Sequence, residues 1–172
     1  MVSKSADGLD RFVWCRVWYR HPAVTESSGL AIRRIQQAAQ QVWALIVDRL
    51  HQPTWRLDVT KVESAASPNG KPRWKETMSN GMVVTMEERE LDPVKMLVVD
   101  IADPDLPFGG TWTYQLSATA NGSRLQITED GFVKPPMYRF FMIFMDPAST
   151  MTKYLTFLGR KLGETVTPQA VN

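Results

Sequence analysis

Residues 72–91 read PRWKETMSNGMVVTMEEREL. Two strand-like runs, 72–79 and 82–91, flank Asn80-Gly81. Asn-Gly tolerates positive φ at both central positions of a tight turn, so the stretch reads as a β-hairpin. The same dipeptide recurs at 69–70 and 121–122, each time between strand-like runs. RLDVTKVESAA (56–66) precedes the first, and TWTYQLSAT (111–119) and RLQITEDGFV (124–133) flank the third. Asp92-Pro93 breaks the chain, and KMLVVDIA (95–102) resumes as an apolar strand. The whole is a meander of six antiparallel strands. A loop, DPDLPFGG, spans 103–110. Its prolines and glycines suit either a gate over a cavity or a rigid connection.

Helical patterns bracket the meander. AAQQVWALIVDRL (38–50) sets Val42, Leu45 and Ile46 at helical spacing, with a stop expected near Pro53. LAIRRIQ (30–36) before it reads as a short strand. Over 136–163, Met137, Phe141, Phe144, Met151, Leu155, Leu158 and Leu162 recur at steps of three, four and seven. Pro147 lies inside that pattern, so a break is expected near 146–148, and Gly163 supplies a stop. A curved antiparallel sheet leaves one face to cover. A long apolar helix at the end of the chain can lie across it, and strong curvature leaves a pocket between them.

Composition narrows the classes. The chain has 172 residues, which suits one domain. It is 44% hydrophobic and 22% charged, close to the globular average. A net charge of +2 is too small to argue for a nucleic-acid surface, despite a pI of 8.8. The one cysteine, Cys15, allows no internal disulfide. Two histidines, His21 and His51, cannot build a purely histidine-ligated catalytic zinc. His51 is expected on a surface loop. No apolar leader or membrane-length run is present, so a cytoplasmic protein is the default. Asn121-Gly122-Ser123 matches a glycosylation sequon but reads as a turn. Serine-hydrolase, zinc-protease, P-loop and dinucleotide fingerprints are missing.

Five segments, QVWALIVDRLHQPTW (41–55), WKETM (74–78), MEERELDPVKMLVVDIADPDLPFGGTWTYQL (86–116), RLQITEDGFVKPPMYRFF (124–141) and YLTFLGRKLGE (154–164), together resemble the START/SRPBCC superfamily. Their order and spacing match its polyketide cyclase/dehydrase branch over residues 30–164. The resemblance implies an α+β helix-grip fold: a curved seven-stranded antiparallel sheet wrapped around a long carboxy-terminal helix, with an internal apolar cavity. Residues 1–29 have no counterpart in the core family. Their apolar stretch FVWCRVWY (12–19) suits an extra edge strand, a flap or a dimer arm. Residues 165–172 form a tail.

Strand parity maps the candidate site, because alternate residues face opposite sides. Trp74, Glu76 and Met78 share a face, as do Trp112, Tyr114 and Leu116, and Leu125, Ile127 and Glu129. Their apolar company points these faces inward. Glu76 and Glu129 then stand on inner walls, where burial raises a carboxylate's pKa and suits it to acid/base work. The competing reading pairs each with an arginine or lysine, or sets it at the open rim. Tyr114 and Tyr138 are candidate donors to a substrate carbonyl or enolate, set against plain core packing. Trp55, Trp74 and Trp112 could stack on a planar ligand. Met86, Phe108, Ile127, Met137, Phe140, Phe141, Phe144, Met145, Met151 and Tyr154 complete the expected lining. Methionine suits adaptable apolar surfaces, although plain core is the rival reading for these residues. Asp58, near Trp55, is a candidate entrance residue.

Three functions follow. The first is a cofactor-independent, metal-free enzyme. It binds a polyketide- or terpenoid-like molecule and promotes cyclisation, dehydration or isomerisation, with Glu76, Glu129 and Tyr114 as the chemical groups. The second is a non-catalytic carrier of a lipid or apolar metabolite. The third is an interaction module, including a homodimer built through the amino-terminal arm. Fold does not choose among them.

Overall fold

The computed structural model describes residues 3–4, 10–12, 38–133 and 149–164. In chain order the elements are strands β1 (Ser3–Lys4) and β2 (Asp10–Phe12), helix α1 (Ala39–Val47), a 3-10 segment (Arg49–Thr54), strands β3 (Val59–Ser64), β4 (Arg73–Met78), β5 (Val83–Asp92), β6 (Met96–Ile101), β7 (Phe108–Thr119) and β8 (Gly122–Val133), and helix α2 (Ser149–Lys161). The strands form one antiparallel sheet of eight in the order β1-β2-β8-β7-β6-β5-β4-β3. The six-stranded meander from β3 to β8 is as the sequence leads one to expect. The count rises because β1 and β2 join the β8 edge, Arg11 opposite Phe132 and Phe12 opposite Gly131. The strand expected over 30–36 and the break expected at 146–148 lie outside the described residues.

The turns work differently from the expectation. Glycine alone takes positive φ at two of the Asn-Gly pairs, +78° at Gly70 and +84° at Gly81. The asparagines instead use their side chains. Asn69 Oδ1 accepts the Lys71 N–H at 3.1 Å, and Asn80 Oδ1 accepts that of Met82 at 3.0 Å. An asparagine that bonds the backbone two residues on holds the turn without itself entering the left-handed region.

Helix α1 buries Ala39, Val42, Trp43 and Ile46, the i, i+3, i+4, i+7 face of an amphipathic helix. It ends at Val47, earlier than Pro53 suggests; the chain tightens into the 3-10 segment, which carries Pro53 inside it. His51 sits in that segment beside Asp48, exposed. Helix α2 stops as expected: the N–H of Glu164 bonds the Gly159 carbonyl and that of Gly163 bonds Arg160, with Gly163 at φ +75°. That is a Schellman closure. Met151, Tyr154, Leu155 and Leu158 of α2 are buried against Val59, Val62, Trp74, Leu97, Val99, Trp112, Leu116, Leu125 and Ile127 from the sheet. Each such aliphatic side chain contributes about 1.5–3 kcal/mol on burial. The sheet thus wraps α2, as in a helix-grip fold.

The β7–β8 ladder runs continuously through the glycines at 109–110 and 131, from Phe108↔Val133 to Thr119↔Gly122. The register shifts fall instead between Val59 and Lys61 and between Glu88 and Glu90. The loop expected to reach 110 ends earlier, since β7 begins at Phe108. Gly110 faces Gly131 across the ladder, and a Cβ there would stand 2.5 Å from the Asp130 carbonyl oxygen and 2.7 Å from Gly131 Cα. Both obstacles are backbone, which cannot swing aside. Gly110→Ala is therefore expected to cost about 1–3 kcal/mol, the usual range for overpacking. A urea-unfolding midpoint unchanged from the parent protein would show that the two strands separate freely here.

Candidate functional site

The inner wall carries a buried ionic cluster centred on Arg56. Arg56 directly follows the 3-10 segment and Trp55 and is only 6% exposed. Its Nη1 donates to Glu76 Oε2 at 3.0 Å and to Gln52 Oε1 at 2.8 Å. Its Nη2 and Nε donate to the two oxygens of Asp58 at 2.9 and 3.3 Å. Gln52 is fixed in turn, its Nε2 donating to the Ile46 carbonyl at 3.1 Å. Trp74 Nε1 donates to the other Glu76 oxygen at 2.9 Å. Burial pulls the Arg56 guanidinium down, but Glu76 and Asp58 more than offset it and hold it above its ordinary value. Nearby, Arg49 lies 4.3 Å over the Trp74 ring and pairs with Glu88.

Tyr154 of α2 reaches into this wall. Its ring meets Trp55 edge-on at 5.5 Å, Tyr114 at 5.5 Å and Trp112 at 6.4 Å. The Arg56 guanidinium stands 5.3 Å from its centroid. The Tyr154 hydroxyl is buried and makes no hydrogen bond among the described residues. Burial pushes the hydroxyls of Tyr114 and Tyr154 upward, so both remain donors at any physiological pH. Across β7 and β8, Trp112 lies directly opposite Glu129, and its indole N–H bonds the carboxylate. Burial raises the Glu129 pKa above the usual carboxylate value, and that indole bond opposes the rise. Each inner carboxylate thus has an indole donor, but among the described residues only Glu76 has an arginine.

The strand-parity faces are placed as expected: Trp74, Glu76, Trp112, Tyr114, Leu116, Leu125 and Ile127 are buried and Glu129 and Met78 half-buried. Trp55, Met151 and Tyr154 join the same core, with Met86 packed against it. Phe108 is half-buried at the head of β7. Met137, Tyr138, Phe140, Phe141, Phe144 and Met145 lie outside the described residues. Asp58, read as an entrance residue, is a ligand of Arg56. Arg56, Gln52, Arg49 and Glu88 escaped the sequence reading. The available signal was the four-residue step from Gln52 to Arg56, with Trp55 before the arginine and Asp58 two residues after it.

A separate concavity of about 370 Å³ is lined by Glu87, Arg89, Asp100, Ile101, Ala102, Gly110, Thr111, Asp130 and Gly131. Its charged groups largely answer one another. Arg89 donates to Asp100 at 2.7 Å and to Thr111 at 3.0 Å, and the Thr111 hydroxyl donates to Asp100 at 2.7 Å. Among the described residues no group of three His, Cys, Asp or Glu could hold a metal ion, and no helix is long and apolar enough to cross a membrane.

The family model for polyketide cyclase / dehydrase and lipid transport matches residues 21–156. No curated protein sequence matches the chain. Among solved structures, the Zhui aromatase/cyclase from Streptomyces sp. R1128 superposes with a TM-score of 0.62 at 13% identity, over 77% of this chain and 90% of that one. The di-domain aromatase/cyclase StfQ of the steffimycin biosynthetic pathway gives 0.58 at 12% identity, over 77% of this chain and 47% of that one. A point mutant of norcoclaurine synthase from Thalictrum, in complex with a transition-state analogue, gives 0.58 at 11% identity, over 81% and 97%. At these identities the likeness is one of fold.

Proposed function

The chain belongs to the polyketide cyclase / dehydrase and lipid transport family, and from that membership we propose that it is a cofactor-independent enzyme acting on a largely apolar, polyketide- or terpenoid-like molecule held against the inner wall. The reaction is a cyclisation, dehydration or isomerisation begun by proton transfer next to a carbonyl. The observation that carries this reading is the grouping of Glu129 with Trp112, Tyr114 and Tyr154. It combines a carboxyl whose pKa lies above the usual range with phenols that stay protonated.

The aromatic wall folds a flexible substrate into a reactive conformer and keeps water out, and orientation of this kind can supply several kcal/mol of barrier reduction. Ionised Glu129 takes a proton from the carbon beside the carbonyl. The electron pair of that C–H bond becomes the enolate, whose oxygen accepts a hydrogen bond from a tyrosine O–H. The enolate carbon attacks a second carbonyl, forming the C–C bond, and the resulting alkoxide takes up a proton from Glu129. Loss of water then completes a dehydration. Tyr114 is the tyrosine nearest Glu129 in the ladder, with Ile127 opposite it. Glu76 keeps a positioning role in this scheme, because both its oxygens are already bonded to Arg56 and Trp74.

Glu129→Gln tests the scheme. With a linear poly-β-ketone precursor, turnover is expected to fall by about 10²–10⁴-fold, the usual worth of a positioned acid/base. Stability should move the other way. A carboxyl whose folded pKa is raised contributes stability that is fully present below the unfolded pKa. That contribution is lost as pH rises through the folded one. The variant should therefore gain on the parent protein in urea-unfolding midpoint as pH rises through that window. The family's lipid-transport side supports a carrier as the second reading. An intact apolar molecule recovered at near-stoichiometric amount by native mass spectrometry, together with no effect of Glu129→Gln, would establish the carrier instead.

A further inference from the structure

The charges and donors of the inner wall restrict what its ligand can be. Arg56 is the central cation, and it faces two carboxylates, Glu76 at 3.0 Å and Asp58 at 2.9 Å. The trio therefore carries one net negative charge. Arg49 and Glu88 cancel each other beside it. A guanidinium has five N–H donors, and four of those on Arg56 are already bonded within the wall. Both indole N–H groups are spent as well, Trp74 on Glu76 and Trp112 on Glu129. The buried neutral donor left over on this wall is the Tyr154 hydroxyl, 1% exposed as a residue and unpartnered among the described residues; Arg49 Nε is also unbonded, but it belongs to a guanidinium whose charge Glu88 meets. A buried hydroxyl without a partner costs about 1–3 kcal/mol, so such a group points to an acceptor that arrives from outside.

We infer that the inner wall selects a ligand whose buried polar end is an uncharged hydrogen-bond acceptor, a ketone in type, seated on the Tyr154 hydroxyl, and rejects a carboxylate of the same shape. The inference rests on the apolar-ligand reading above and narrows it. Among its described residues, a carboxylate would meet a wall that is net negative and whose cations are already paired, in a setting where an unpaired charge is costly. A ketone asks for one neutral donor and finds one.

Two naphthalene probes of matched shape test this by isothermal titration at pH 7.5. 2-Acetylnaphthalene carries the ketone, and 2-naphthoate the carboxylate. The ketone is expected to bind at least tenfold more tightly. Poor partitioning of any charged probe into an apolar site could give that gap, so two variants look for the wall itself. Tyr154→Phe should weaken the ketone about fivefold or more and leave naphthoate unchanged. Asp58→Asn, which removes one negative charge at the half-buried edge of the cluster, should strengthen naphthoate severalfold and leave the ketone unchanged. Naphthoate binding as tightly as the ketone would overturn the inference while leaving the apolar-ligand reading standing. An unmoved preference in both variants would overturn it too. Failure of both probes to bind at millimolar concentration would overturn the inference and the proposed function together.

Discussion

Replacing Arg56 with leucine is expected to remove about 3–5 kcal/mol of folding stability, the cost of leaving buried carboxylates without their cation. Glu76 and Asp58 have side-chain exposures of 10% and 18%, so water cannot take over from the guanidinium. Against a typical total of about 5–15 kcal/mol, such a loss leaves a barely folded chain. Arg56→Lys does not rescue it, since one ammonium cannot span Gln52, Glu76 and Asp58 as the planar fork does. The informative partner is the double variant Arg56→Leu with Glu76→Leu. Removing both charges together should restore part of the loss, with a coupling of about 0.5–3 kcal/mol in a double-mutant cycle. Denaturant unfolding of the four proteins checks both numbers. An Arg56→Leu protein within 1 kcal/mol of the parent would mean that the cluster is open to water after all.

Tyr154 should answer in opposite directions to two substitutions. Tyr154→Ala removes a ring that meets Trp55, Tyr114 and Trp112, and it is expected to cost about 3–5 kcal/mol through the cavity it leaves. Tyr154→Phe keeps the ring and removes only the unpartnered hydroxyl. It is expected to be neutral or stabilising by up to about 1 kcal/mol, because a buried polar atom without a partner is a debit in the apo protein. Thermal unfolding of both variants measures this. A clear loss in Tyr154→Phe would show that the hydroxyl is bonded in solution. A stabilised phenylalanine variant means that the native tyrosine is kept at some expense of stability, as expected of a residue retained for binding.

What the chain reveals before folding is whatever rides on period and punctuation. The hairpins are legible because Asn-Gly pairs separate runs of alternating polarity. The inward faces of β4, β7 and β8 are legible because parity survives wherever the register is unbroken, as it is throughout β7 and β8. Parity reports which way a side chain points but not who meets it there. Glu76 and Glu129 therefore look equivalent in sequence, while among the described residues one receives an arginine and the other only an indole. Arg56 escaped notice for a physical reason. It stands between a 3-10 segment and a strand, where neither the 3.6-residue nor the 2-residue period applies, so nothing marks its direction. The close approach of Gly110 to Gly131 is hidden likewise, since it joins two strands that the sequence lists some twenty residues apart.

The meander has a kinetic corollary. From β3 to β8 every strand lies beside its predecessor in the chain, so each pairing closes only a short loop. The contact between Trp55 and Tyr154 joins residues about a hundred positions apart. By loop-closure entropy that contact costs about 2–3 kcal/mol more than a hairpin to bring together. The sheet can therefore assemble from local zippering, whereas the helix that completes the binding wall docks at the end. The reverse order holds for opening. Undocking α2 exposes the wall while the ladder stays paired, so a bound molecule can leave through a partial, sub-global fluctuation that costs less than unfolding the domain.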